Sequence, residues 1–119
     1  MVEVTFYAVR QISTGFYIPR PQRSDGRGGS FSEPFNFHNR EENLIRRPKM
    51  SQHFVKTAQP RLFSEERAAK IFLTSWLKGR WKCYRSGSYD DYDEEVYIEK
   101  DPNRTVIDME IVPVTVTLP

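Results

Sequence analysis

Two histidines, His38 and His53, and one cysteine, Cys83, are the side chains of this chain best suited to nucleophilic or zinc chemistry. Zinc sites need three or four such ligands at short, regular spacings, and these three stand at unrelated ones. A Cys–His couple requires a proximity in space that the sequence does not impose. Cys83 alternates with Trp81 in a strand-like stretch, where a cysteine reads as a small buried hydrophobe. No catalytic set is expected, so the chain is read as not an enzyme, with no cofactor and no metal.

Charged and aromatic residues carry more information. The run Asp90-Asp91-Tyr92-Asp93-Glu94-Glu95 lacks the ligand order of a calcium loop. It reads as a solvated loop, residues 89–95, that presents Tyr89 and Tyr92 to a partner. Ser24-Asp25-Gly26-Arg27-Gly28-Gly29-Ser30 has the glycine content of a phosphate cradle. It lacks the Lys-Ser/Thr ending that a P-loop uses, which leaves a flexible loop carrying Arg27. Arg20, Arg23, Arg27, Arg40, Arg46, Arg47 and Lys49 interleave with Phe31, Phe35 and Phe37. Cations that neutralise phosphate beside rings that stack on bases suit single-stranded nucleic acid. Glu33, Glu41 and Glu42 interrupt that charge, and phenylalanines in a long connection generally pin it to a core.

The elements that position these side chains follow from periodicity. Residues 2–10 alternate and read as a half-buried strand. Ser13-Thr14-Gly15 supplies turn chemistry, and Phe16 to Ile18 closes a β-hairpin over residues 2–18. The long loop 19–60 follows, broken by a short helix over 40–47 that Asn39 caps and Pro48 ends. The clearest element is a helix over 65–78. Ser64 is its N-cap, Ala69, Phe72, Leu73 and Trp76 form one apolar stripe, and Gly79 is its left-handed stop. Ala68, Ile71 and Leu77 widen that stripe. C-terminal strands occupy 81–118, with turns at Ser86-Gly87-Ser88 and Asp101-Pro102-Asn103. Ile107, Met109 and Ile111 share one parity, whereas Val112, Val114, Val116 and Leu118 share the other. That switch predicts a β-bulge near Val112-Pro113, with Pro113 at a sheet edge.

Composition sets the frame around these elements. The 119 residues suit a single domain, 1–119, with one modest core, because hydrophobic content is 38% while aromatics reach 13%. One cysteine allows no internal disulfide, which fits a reducing cytoplasm. No signal-like leader and no long apolar run are present, so neither a targeting segment nor a membrane span is expected. Net charge is +2, unevenly laid down. Residues 55–88 hold eight basic and two acidic side chains, and residues 89–119 hold two basic and nine acidic. Such asymmetry arises either from a nucleic-acid-facing surface or from two regions that neutralise each other in the fold.

Three blocks resemble small proteins encoded by tailed phages and prophages. Phe6-Tyr7-Ala8-Val9-Arg10 leads to Thr14-Gly15-Phe16-Tyr17-Ile18-Pro19. Gly26-Arg27-Gly28 is followed by Ser30 and Glu33-Pro34. Pro60-Arg61-Leu62-Phe63-Ser64 runs to Ala68-Ala69 and Trp76-Leu77-Lys78-Gly79. The closing Asp108-Met109-Glu110-Ile111-Val112 is similar too. The resemblance spans about half of the chain in short blocks. It implies a phage or prophage context and a host-cell cytoplasm, and it brings no established activity.

The expected fold is α+β, a small, mostly antiparallel sheet packed against one main helix, with a long irregular loop. The expected function is that of a non-enzymatic accessory protein that binds a host or phage protein, inhibition of a host defence system being one form. Arg27, Arg46, Arg47, Tyr89 and Tyr92 are its candidate binding residues. The alternative is a nucleic-acid-binding module that uses Arg61, Lys70, Lys78, Arg80, Lys82 and Arg85 with the Arg/Phe loop.

Overall fold

Alternation in the first ten residues produces the strand expected there, but its partner is the other end of the chain. The computed structural model describes residues 1–21, 31–88, 91–102 and 104–119, and side chains outside 80–99. Strand β1 (Val2–Gln11) pairs antiparallel with β4 (Met109–Leu118), from Val2 opposite Leu118 to Gln11 opposite Met109. The expected hairpin over 2–18 reduces to single contacts. Gln11 N–H donates to the Phe16 carbonyl at 2.7 Å, and Ile18 N–H donates to that of Val9 at 3.0 Å. Gly15, at φ 74°, makes the tight turn between them, a backbone conformation that favours glycine.

One register runs the length of this ribbon, so the predicted bulge at Val112-Pro113 is absent. The parity switch has another cause. Ile107 belongs to a 3-10 turn, Val106–Asp108, and is 88% exposed, so its spacing to Met109 is not a strand signal. The ribbon is also apolar on both faces. Tyr7, Val9, Met109 and Ile111 pack on the main helix, whereas Val4, Phe6 and Ala8 stand opposite Val116, Val114 and Val112 on the reverse face. Tyr7 exchanges both backbone hydrogen bonds with Phe63, each at 2.8 Å. Its polar groups therefore point away from β4, and Pro113, opposite Tyr7, has its donor-less nitrogen on the outer edge, where a strand tolerates proline.

The main helix, α3 (Glu66–Lys78), carries the stripe read from its periodicity. Ala69 and Trp76 are buried, and Phe72, Leu73 and Leu77 pack beside them on Val9, Ile18 and Met109. Two details differ from expectation. Glu65 occupies the N-cap without a side-chain hydrogen bond, in place of Ser64, and Ile71 is 59% exposed rather than part of a wider buried face. Gly79 ends the helix at φ 124°, its N–H reaching the Trp76 carbonyl at 3.2 Å.

Strands β2 (Arg80–Ser88) and β3 (Asp91–Glu99) form a separate two-stranded antiparallel sheet. The acidic stretch expected as a loop is thus mostly strand, and Ser86-Gly87-Ser88 extends β2 instead of turning the chain. Aspartate and glutamate are poor strand formers in isolation, but pairing rewards opposite charge across a ladder. The register sets Arg80 opposite Glu99, Tyr84 opposite Glu95 and Arg85 opposite Glu94. The basic and acidic tracts of the sequence therefore run alongside each other. Asn103 lies outside the described residues. Among the described residues the architecture is α+β, two antiparallel ribbons with one main helix and two short ones.

Candidate functional site

Within the long segment 19–60, residues 31–60 build a second core from aromatic rings and paired amides. Phe35, Phe54, Val55 and Ala58 are buried, with Phe31, Phe37, Leu44 and Met50 around them. Phe35 lies 5.9 Å from Phe54 edge-on and 4.6 Å from Phe37, within the range for favourable ring pairs. Helix α1 (Arg40–Arg46) forms where the sequence predicts one. Helix α2 (Gln52–Thr57), whose Ser51 N-cap accepts from the Phe54 N–H at 3.5 Å, was not foreseen.

Asparagines orient α1. Asn36 Oδ1 accepts from the N–H groups of His38 and Asn39, each at 3.1 Å, a side-chain turn that starts the helix. The buried Asn43 amide donates to the carbonyls of Asn36 (3.1 Å) and Arg40 (3.0 Å) and accepts from the Asn36 N–H at 2.8 Å. A segment that lacks a strand partner is thereby satisfied by a side chain, as buried backbone groups require. Arg40 ties α1 to α2, with Nη1 donating to the Val55 and Ala58 carbonyls at 2.7 and 3.0 Å while its guanidinium lies over Phe37 at 5.6 Å.

This framework aims the last turn of α1 at a groove of about 230 Å³. Trp76, Phe31 and Met50 give it apolar walls, Gln11, Glu33 and Asn43 add polar atoms, and Arg46 and Arg47 flank it. The Arg46 guanidinium stacks over Phe16 at 4.9 Å and that of Arg47 over Phe31 at 5.4 Å. Ring contact fixes the plane of a guanidinium and leaves its N–H edge available. Glu42 lies 3.5 Å from Arg46 Nε, one helical turn earlier. Arg47 makes no ion pair among the described residues.

Glu33, the carboxylate among the groove residues, is buried and already held. Arg104 Nη2 lies 2.6 Å from its Oε1. Arg104 Nη1 also donates to the carbonyls of Trp76 (2.9 Å) and Gly79 (3.1 Å), closing the C-terminal end of α3, where a cation suits the negative end of the helix dipole. Its guanidinium lies 4.5 Å from the Trp76 ring centroid, and the indole N–H donates to the Ser32 carbonyl at 2.8 Å. One arginine thus fastens segment 31–36 and α3 around the groove, with its acid neutralised. The side-chain charge left at the groove is positive.

Of the expected binding residues, the fold brings Arg46 and Arg47 together here. Arg27 and Tyr89 lie outside the described residues. Tyr92 sits on β3 opposite Gly87, on a different element. The nucleic-acid set is dispersed. Arg61 stacks on Phe63 and Phe72, Lys70 is 3.5 Å from Glu66, and Lys78 ends α3. Arg80, Lys82 and Arg85 are spaced along β2, and two of them stand opposite glutamates. His38 and His53 are exposed. Among the described residues, no three His, Cys, Asp or Glu side chains converge as a metal set would, and no helix is long and apolar enough to cross a membrane.

Sequence reasoning missed Glu33, Asn36, Asn43, Trp76 and Arg104 as parts of the site. A polar Asn43 at the buried position of a short helix was the one legible signal. Arg104 gives none, being a lone cation in a turn. Compared with known protein families, curated proteins and solved structures, the chain matches none of them.

Proposed function

We propose that this chain works by binding, without catalysis, and that the Arg46–Arg47 groove receives an acidic, aromatic-bearing segment of a partner protein. The observation that carries this reading is the pair of guanidiniums, each stacked on a ring and flanking an aromatic-walled groove whose carboxylate is neutralised by Arg104. Arginine beside aromatic walls is the composition that interface hot spots favour. Fixed planar forks pair with carboxylates at little further cost in side-chain order. In the phage or prophage setting that the resemblance implies, the partner is a host or phage protein in the host cytoplasm, a component of a defence system being one candidate.

The nucleic-acid reading gains no matching support. Its residues are divided among the segment before α3 (Arg61), α3 itself and a hairpin whose second strand is acidic, whereas phosphate tracking needs a continuous cationic path. Capture from host lysate with the native chain and with the Arg46→Glu, Arg47→Glu double variant tests the proposal. A partner retained by the native chain and lost by the variant supports it. Equal capture by both, or steeply salt-dependent capture of nucleic acid alone, contradicts it.

A further inference from the structure

Pro19 and Pro60 face each other in an antiparallel bridge. On one side of it Arg61 N–H donates to the Ile18 carbonyl at 3.1 Å, and on the other Arg20 N–H donates to that of Gln59 at 2.6 Å. Arg61 therefore stands opposite Ile18 and Arg20 opposite Gln59, which makes the two arginines diagonal neighbours on one face of a short ladder. Diagonal side chains of this length reach one another.

The Arg61 side chain is also fixed. Its guanidinium carbon lies 4.5 Å from the centroid of Phe72 and 5.1 Å from that of Phe63, two rings that are themselves 5.4 Å apart. Rings engage the faces of a guanidinium and leave the in-plane donors outward. Among the described residues, no carboxylate pairs with Arg20 or Arg61, and neither side chain donates a hydrogen bond. Burial and the like charge of Arg20 both hold the Arg61 pKa below its ordinary value. Two cations placed together without an acid lower the stability of a fold unless an anion sits between them.

We propose that Arg20 and Arg61 form an oxyanion site for a phosphate dianion, either free or as the terminal phosphate of a small monoester. Two guanidiniums match two negative charges, and phosphate oxygens accept the parallel bonds that such forks donate. Neither residue lines the Arg46–Arg47 groove, so the proposal stands apart from the reading of that groove.

Titration with inorganic phosphate, glycerol phosphate and dimethyl phosphate, against chloride at constant ionic strength, tests the site. Unfolding temperature and the arginine Nε–Hε resonances are the readouts. Both dianions raise the unfolding temperature beyond chloride, by linkage to the folded state, and shift one arginine resonance. The monoanionic diester binds more weakly. In Arg61→Gln and Arg20→Gln the phosphate response weakens by about tenfold or more. Arg20 is exposed, so Arg20→Gln keeps its fold and, in chloride, its unfolding temperature does not fall. Tighter binding of glycerol phosphate than of inorganic phosphate assigns the monoester, and the reverse order assigns the free ion. No response beyond chloride, or the same response in the native chain and both variants, overturns the proposal.

Discussion

Arg104 and the Arg46–Arg47 pair adjoin the same groove and do opposite things. Arg104 is buried, bonded to two helix-end carbonyls, one hydroxyl and one carboxylate, and stacked on an indole. Arg46 and Arg47 are exposed, with their faces on phenylalanine rings and their donor edges turned to solvent or to one surface glutamate. Residue type does not separate structural from available arginine. What separates them is whether neighbouring carbonyls and acids engage the Nη donors, as they do at both Nη atoms of Arg104 while its buried Nε makes no hydrogen bond. Those bonds hold the groove together, and the exposed pair keeps donors for an acidic ligand.

Breaking the buried side gives the largest effect. Arg104→Ala removes the buried ion pair to Glu33 and strips two carbonyls at the end of α3, so about 3–5 kcal/mol of stability is lost, read from urea unfolding. Replacing both members of the pair with apolar residues of similar volume recovers much of that loss, because the buried carboxylate is removed along with the cation. A loss below about 1 kcal/mol in the single variant would erase the distinction between the two arginine environments.

Asn43→Ala comes next. It leaves the Asn36 N–H and C=O without their buried partner, for about 1–3 kcal/mol by the same measurement. The groove then loosens while Arg46 and Arg47 keep their charge. At the exposed side, Arg46→Ala and Arg47→Ala each change stability by within about 0.5 kcal/mol. The smallest effect belongs to the β2–β3 hairpin. Arg85→Glu sets two acids opposite each other, for about 0.2–1 kcal/mol, and Glu94→Lys in the same chain restores the pairing.

How much of this was legible follows from the range of the forces involved. α3 could be read because its period is local. Ala69, Phe72, Leu73 and Trp76 repeat at helical spacing whatever the rest of the chain does. The short helix was readable from its local start and stop residues, Asn39 and Pro48, although the Asn39 side chain makes no cap hydrogen bond, and β1 was readable from its alternation. Pairing was not, since nothing local to Val2 points to Leu118. The end of β3 was readable at Val96-Tyr97-Ile98, but its acidic half, residues 91–95, was hidden because such residues favour strand only when a basic strand lies alongside. The bulge was a misreading of two separately buried faces as one displaced face. Arg46 and Arg47 stood out as charge, but the groove beside them is assembled by Asn36, Asn43 and Arg104 from distant parts of the chain, and no spacing encodes that meeting.

Hydrogen exchange of the native chain, alone and with a partner captured from host lysate, tests the central claim most directly. Binding at the Arg46–Arg47 groove predicts added protection at residues 31–34 and 43–50, with β2 and β3 unchanged, and no such protection in the Arg46→Glu, Arg47→Glu variant, measured at a temperature where that variant is fully folded. Protection confined to the β2–β3 hairpin, or the same footprint in the charge-reversed variant, would contradict it.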